Sequence, residues 1–187
     1  MKPVGKTFCL LVALAMPIMA SGFGFKAEFV SNGIGPGFGG GLLQMVDLSD
    51  YFALYPNIDI YYNGNISSDR YWEQDHWVYT DNWNFNYYEM AFNMDGAFKI
   101  PARPVEPYLG LGLAPTIIVQ DGSDPPFFNN SDFEMGVNMF GGILFPMGPY
   151  TGMFELREKI GNPYNVFKMS FGILLRPRRH HRYYGRW

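Results

Sequence analysis

The sequence has very little cysteine, little histidine and no long hydrophobic stretch in its body. The one cysteine, Cys9, lies in the first twenty residues, so a chain cleaved after Ala20 has no disulfide and no thiolate metal site. No stretch after Ala20 approaches the roughly 18 continuous apolar residues that a membrane-spanning helix needs. An exported chain without disulfides must be stabilised in another way, and a closed sheet would supply that stability.

The first twenty residues are typical of an export signal. Lys2 and Lys6 make the start basic, residues 8–20 form an apolar run, and small Ala20 precedes a plausible cleavage point. We therefore expect residues 1–20 to be a signal peptide that is removed. A buried N-terminal helix or strand is the alternative.

Hydrophobic residues in the body recur with a period of two. In residues 88–100, Tyr88, Met90 and Phe92 fall on one face, whereas Glu89 and Asn93 fall on the other. A helix would mix these two sets, so the alternation indicates a strand. The same pattern predicts eight strands, at about residues 22–31, 38–47, 52–63, 85–100, 105–119, 133–145, 150–160 and 166–175. Pro56 inside the third strand predicts a bulge or local break.

The connections between these strands differ in length. Short connections are expected at residues 48–51, 101–104, 146–149 and 161–165, and longer polar ones at residues 32–37, 64–84 and 120–132. Short turns at one rim and long loops at the other are typical of outer-membrane barrels. An even number of strands places both ends of the barrel at the short-turn, periplasmic rim.

Alternation alone does not say which face points outward. The polar face is rich in glycine and alanine, which suits a crowded interior, and the apolar face carries more large side chains than an eight-stranded interior can hold. Tyrosine and tryptophan gather at strand ends, as in an interfacial girdle. We therefore predict an all-β fold, an eight-stranded antiparallel up-and-down transmembrane β-barrel, over residues 21–175.

In this orientation the interior contains charges of both signs, which must pair when buried. The predicted interior charge network consists of Lys26, Glu28, Asp59, Glu89, Asp95, Lys99, Glu106, Glu134, Glu155, Arg157, Lys159 and Lys168. We expect a hydrogen-bonded plug rather than an open pore, because eight strands leave room only for side chains. A narrow ion path through the network is the alternative.

The chain resembles the small bacterial outer-membrane β-barrel proteins, the outer membrane protein β-barrel domain family with the shape of the OmpA transmembrane domain and OmpX. The resemblance rests on the signal peptide, the strand rhythm, the loop asymmetry and the closing strand at residues 168–175. That strand resembles the family's assembly signal and has its polar Ser170, its Gly172 and its hydrophobic Leu175. It implies a monomer in the bacterial outer membrane, in contact with lipid, lipopolysaccharide and the barrel-assembly machinery. Such barrels usually end on an aromatic residue, whereas here Pro177 follows.

Residues 176–187 form a basic tail with five arginines, while the rest of the chain is acidic. We expect this tail to lie in the periplasm and to contact anionic lipid or the cell wall. A disordered, solubilising end is the alternative. We expect no nucleic-acid partner, no metal and no cofactor.

The predicted loop at residues 64–84 combines acids with aromatic residues, which suits adhesion, carbohydrate contact or bridging to lipopolysaccharide by divalent ions. The candidate contact residues are Trp72, Asp75, Trp77 and Trp83. Aromatics resting in the interface beside solvated acids are the alternative. His76 lies in the same loop, but no spacing fixes a serine beside it, so we do not expect an enzyme.

These observations favour an outer-membrane barrel with a structural or surface-interaction role through its long loops. Two other readings stay open at this stage. One is a secreted or periplasmic lipocalin-like barrel that binds an apolar ligand, and the other is a lipid-modifying outer-membrane enzyme.

Overall fold

The computed structural model describes residues 22–32, 35–73, 76–122, 131–161 and 165–175. Within these ranges, side chains are described except at residues 64–73, 76–85, 120–122 and 131–132. The predicted signal peptide and basic tail lie outside the described residues and stay predictions. Across the part of the chain that is described, no helix is long and apolar enough to cross a membrane.

Eight antiparallel strands follow one another around a closed barrel. Their bounds are β1 Gly22–Asn32, β2 Pro36–Asp47, β3 Phe52–Glu73, β4 His76–Lys99, β5 Glu106–Gly122, β6 Ser131–Met147, β7 Tyr150–Ile160 and β8 Val166–Leu175. The barrel closes where β1 pairs with β8, from Phe23 opposite Leu175 to Asn32 opposite Val166. Each strand therefore has two neighbours and no edge runs the length of the sheet. The predicted eight-stranded antiparallel barrel is confirmed.

The third and fourth strands are longer than the sequence predicts. Backbone pairing between β3 and β4 continues up to Glu73 opposite His76, so the prediction of a loop at residues 64–84 is wrong. The Gly, Asn, Ser and Asp residues of this segment are typical of loops, but its Tyr, Trp, Thr and Val residues favour a strand. Register shifts at Asn63/Ile66 and Ser68/Arg70 accommodate the turn-forming residues.

Pro56 interrupts one ladder without shifting its register. Pairing between β3 and β2 skips from Leu43 opposite Asn57 to Val46 opposite Leu54, yet the alignment on both sides of the gap is the same. On the other side of β3, Pro56 stays aligned with Met94 of β4. The predicted local break is therefore present on the β2 side, and no bulge accompanies it, because proline removes a single donor.

The apolar face of the sheet points outward. Phe38, Leu111 and Phe133 have exposed fractions of 71%, 60% and 69%, whereas charged residues at inward-facing strand positions are buried, among them Lys26, Glu89 and Arg157. An exterior of this kind requires a hydrocarbon environment, since a water-soluble barrel places its apolar face inside. The reading as a lipocalin-like barrel with an apolar ligand inside is therefore wrong.

Candidate functional site in the barrel interior

The interior is divided into layers along the barrel axis. At the short-turn end, aromatic and aliphatic side chains form one cluster: Leu43, Met45, Ala53, Tyr55, Ala97, Tyr108, Phe140, Leu144, Met153 and Leu174. Toward the long-hairpin end, a smaller cluster consists of Val30, Tyr61, Tyr87, Ile118 and Val166. The charged side chains lie between these two apolar layers, so both layers separate them from bulk water.

The middle layer contains charges of both signs, none more than 5% exposed. Its cations are Lys26, Arg157, Lys159 and Lys168, and its carboxylates are Glu28, Asp59, Glu89, Asp95 and Glu155. All of them come from inward-facing positions of β1, β3, β4, β7 and β8, as the period-two alternation dictates. Each would be costly to bury alone, so their contacts with one another determine whether the interior is stable.

Asp59 lies at the centre of one group of contacts. The amine of Lys26 lies 2.8 Å from the Asp59 carboxylate and 2.8 Å from that of Glu28, and the amine of Lys168 lies 3.0 Å from Asp59. Lys168 also lies over the ring of Tyr61. Ser170 donates a hydrogen bond of 3.1 Å to Glu28. Strands β1, β3 and β8 are thereby connected across the interior.

Arg157 connects a second group. Its guanidinium donates to Asp95 at 2.6 Å and to Glu155 at 2.9 Å. Glu155 also accepts a hydrogen bond of 2.9 Å from the hydroxyl of Tyr108. One guanidinium nitrogen, Nη2, has no hydrogen-bond partner among the described residues, but the group lies 4.4 Å from the ring centroid of Phe140. This cation–π contact offsets part of the desolvation of the guanidinium.

Three asparagines connect the two groups. Asn57 accepts from Lys26 at 3.2 Å and donates to Asp95 at 3.0 Å. Asn93 donates to Asn57 at 2.7 Å, and Asn138 donates to Asn93 at 2.7 Å. The network predicted from the sequence does not include these asparagines. Their positions in the period-two alternation place them on the inward face, and this could have identified them. Neutral amides carry both donors and acceptors, so they connect like and unlike charges without adding charge.

A third contact lies toward the long-hairpin end. Lys159 pairs with Glu89 and lies 3.4 Å from the hydroxyl of Thr116. Glu89 also accepts a hydrogen bond of 2.9 Å from the hydroxyl of Tyr87. The pair joins β4 to β7 across the barrel, below the upper apolar layer.

The remaining predicted members of the network lie nearer the rims. Lys99 pairs with Asp47 at 2.6 Å, a partner that the sequence did not suggest, and lies 3.8 Å from half-buried Glu106. Glu134 is half-buried near the long-hairpin end of β6. The structure thus brings most of the predicted charges together in the middle layer and leaves Lys99, Glu106 and Glu134 apart from it.

Inward-facing glycines make room for the charged side chains. A Cβ atom added to Gly41 would lie 2.5 Å from Oδ1 of Asp59, and one added to Gly136 would lie 2.8 Å from Cγ of Lys159. At Gly112 an added Cβ would overlap Asp95. The inward-facing glycines therefore leave the space that charged side chains from neighbouring strands occupy.

The predicted surface-contact side chains lie outside those that the structure describes, so their grouping stays a prediction. Trp72, Trp77 and Trp83 belong to the backbone of β3 and β4, but their side chains lie outside those described, and Asp75 lies outside the described residues altogether. The side chain of His76 is also outside them. Within the described ranges, no group of three or more His, Cys, Asp or Glu side chains could hold a metal ion.

Solved structures with this fold are bacterial outer-membrane proteins. Neisserial surface protein A is 14% identical, with a TM-score of 0.60 over 83% of this chain and 96% of that one. Ail, the attachment invasion locus protein of Yersinia pestis, solved with the heparin analogue sucrose octasulfate, is 12% identical, with a TM-score of 0.51 over 82% of this chain and 94% of that one.

The outer-membrane enzyme PagL is a more distant likeness, 10% identical with a TM-score of 0.46 over 82% of this chain and 99% of that one. No protein-family model and no curated protein matches the chain. The resemblance to small bacterial outer-membrane barrels is therefore confirmed at the level of the fold, and the expected location in the outer membrane agrees with that of the structural neighbours. Fold alone does not assign an activity.

Proposed function

We propose that the protein is an integral outer-membrane barrel without an open pore, which acts through surface contacts of its long hairpins. The observation that carries the first part is the filled interior. Paired charges occupy the middle of the barrel, and buried apolar layers lie on both sides of them. An eight-stranded barrel has an interior that side chains can fill, so a continuous water path has no room.

The second part of the proposal rests on the hairpins opposite the short turns. The β3–β4 hairpin pairs up to Glu73 and His76, and β5 and β6 pair up to at least Val119 and Ser131. The sequence of the β3–β4 hairpin is rich in tryptophan, tyrosine and acids, which suits contact with carbohydrate or with cation-bridged lipopolysaccharide. A fold neighbour, Ail, is an attachment protein seen with a sulfated sugar, which agrees with such a role.

Conductance across a planar bilayer tests the closed interior. Protein that shifts its gel mobility on boiling, and is therefore folded, should insert without producing stepwise conductance. A porin inserted in the same bilayer is the control for detection. Reproducible conductance steps from the heat-modifiable protein would show an open path and contradict the proposal.

Shortening the β3–β4 hairpin tests the surface contact. Replacing residues 66–83 by Asn-Gly, the residue pair favoured in two-residue hairpin turns, should leave the gel shift intact because the interior layers lie below this segment. Binding of the reconstituted barrel to immobilised lipopolysaccharide should fall strongly, and more than after shortening the segment between β5 and β6. Unchanged binding by a heat-modifiable hairpin variant would remove the contact role from this hairpin.

A further inference from the structure

Glu158 has an unusual position on the barrel wall. Its neighbours Arg157 and Lys159 point inward and are buried, whereas Glu158 points outward and is exposed. Among the strand side chains that the structure describes, it is the only acidic or basic one on the lipid-facing surface. It aligns with Met139 of β6 and Phe167 of β8, so its lateral neighbours are apolar.

The Glu158 carboxylate forms no ion pair with the residues that the structure describes, and its neighbours on both adjacent strands are apolar. Charged side chains on the lipid face destabilise membrane barrels, least so near the interfaces. Glu158 lies two residues before the end of β7, which ends at Ile160 on the long-hairpin side. Two residues span about 7 Å of strand, so the carboxylate lies below the rim of β7 but close enough for a cationic outer-leaflet head group to reach and neutralise it.

An apolar groove begins beside this carboxylate. It is formed where outward-facing Gly141 lacks a side chain between Leu109 of β5 and Leu156 of β7, its partners in register. Leu111, Met139 and Phe167 complete its walls, and Glu158 lies among the lining residues. The groove thus has apolar walls against which a hydrocarbon chain can lie, and a single negative charge at its outer end.

We infer that this groove binds a lipid whose head group carries an ammonium. The hydrocarbon chain would lie over Gly141, and the ammonium would pair with the Glu158 carboxylate. The proposal rests on the barrel spanning an outer membrane, since only then does lipid cover this face. An ammonium would attract the Glu158 carboxylate, whereas a lipid with only a negatively charged phosphate would be repelled by it. The charge of Glu158 therefore favours a head group that carries an ammonium.

Because the carboxylate lies toward the outer leaflet, we assign the groove to lipid A modified with phosphoethanolamine rather than to phosphatidylethanolamine, which carries the same ammonium. Native mass spectrometry of the folded full-length barrel can separate them. The barrel is released from micelles containing phosphatidylethanolamine or phosphatidylglycerol with identical chains, and then lipid A with or without phosphoethanolamine. Retained lipid is counted for each addition.

The wild-type barrel should retain the ammonium-bearing lipid about fivefold better than its anionic counterpart, as expected for one partly exposed ion pair. Glu158→Gln should abolish this preference while leaving some retention of both lipids. Gly141→Leu should reduce retention of both, because its side chain fills the groove. A Cβ at Gly141 meets only the backbone oxygen of Tyr108, at 3.5 Å, so the backbone accommodates it.

Gly96→Leu is the matched control. Gly96 also faces outward, a Cβ there meets only the backbone oxygen of Leu111, at 4.0 Å, and it lies on the far side of Leu111 from the groove. Its variant should retain lipid as the wild type does. All variants are first shown to shift on boiling, so a failure to fold is separated from a failure to bind.

Equal retention of both head groups by the wild type would overturn the inference, as would wild-type behaviour of Gly141→Leu. Dimers without lipid, lost on Gly141→Leu, would assign the groove to a second copy and overturn it too. In each of these cases a persisting gel shift and absent conductance would leave the proposed function intact. A preference for modified lipid A would support the inference, whereas a preference for phosphatidylethanolamine alone would overturn the assignment to lipid A.

Discussion

Replacing Arg157 by methionine should lower the free energy of unfolding by about 3–5 kcal/mol, the range for removing one partner of a buried ion pair. Its guanidinium neutralises Asp95 at 2.6 Å and Glu155 at 2.9 Å, all three with fully buried side chains. Methionine fills a similar volume but leaves two carboxylates together without a cation. Among the described residues, no other cation of the middle layer forms an ion pair with either carboxylate, so none compensates for the missing guanidinium.

Urea unfolding of the barrel in phospholipid vesicles measures this loss. Arg157→Lys should fall between the wild type and the methionine variant, because lysine keeps the charge and loses the two-pronged donor geometry. Lys99→Met is the comparison for a cation nearer the rim, whose carboxylate partners Asp47 and Glu106 are 6% and 30% exposed, whereas both partners of Arg157 are fully buried. This change should lower the free energy of unfolding clearly less than Arg157→Met does. If both methionine variants unfold at the same urea concentration, the middle layer contributes no more than the rim.

Glu89→Leu should also destabilise the barrel by about 3–5 kcal/mol, since it leaves the amine of Lys159 buried without its carboxylate. The hydroxyl of Tyr87 loses its acceptor at the same time. Combining Glu89→Leu with Lys159→Met should recover most of the loss, because a buried ion pair and a well-packed apolar pair of similar volume have similar stabilities. Thr116 keeps its own hydrogen bond to the carbonyl of Ala114 in every variant.

A double-mutant cycle gives the coupling energy of this pair. The four proteins are the wild type, the two single variants and the double variant, all unfolded under the same conditions. A double variant whose loss of stability equals the sum of the two single losses would show that the two side chains act independently. In that case the contact between Glu89 and Lys159 would have no measurable part in the stability of the interior.

Much of this architecture follows from one regularity of the sequence. Residues such as Glu89 and Asn93 alternate with Met90 and Phe92, and a pleated strand turns that alternation into two opposite faces. The number of strands, their order and the outward apolar face were all predictable for this reason. The same alternation predicted that the side chains of Lys26, Asp59 and Arg157 point into the barrel.

The partners of the interior charges were not predictable in the same way. A pair such as Arg157 and Asp95 depends on the register of several strands around the closed barrel, and alternation fixes parity but leaves the register open. The bridging asparagines and Asp47 depend on the same registers. The end of the β3–β4 hairpin was mistaken for a loop because turn-forming and strand-forming residues are interspersed there, and pairing with a neighbouring strand overrides weak local preferences.

The lengths of β3 and β4, 22 and 24 residues, have a consequence for how far the protein reaches. A tilted strand crosses the hydrocarbon in about 9–11 residues. The remaining residues, about 12 in β3, measure about 40 Å along the strand, and at a tilt of about 45° they carry the end of the hairpin roughly 30 Å beyond the hydrocarbon, past the lipid head groups. With this rim facing outward, as proposed, an approaching cell or macromolecule meets the tip of the hairpin before it meets the bilayer.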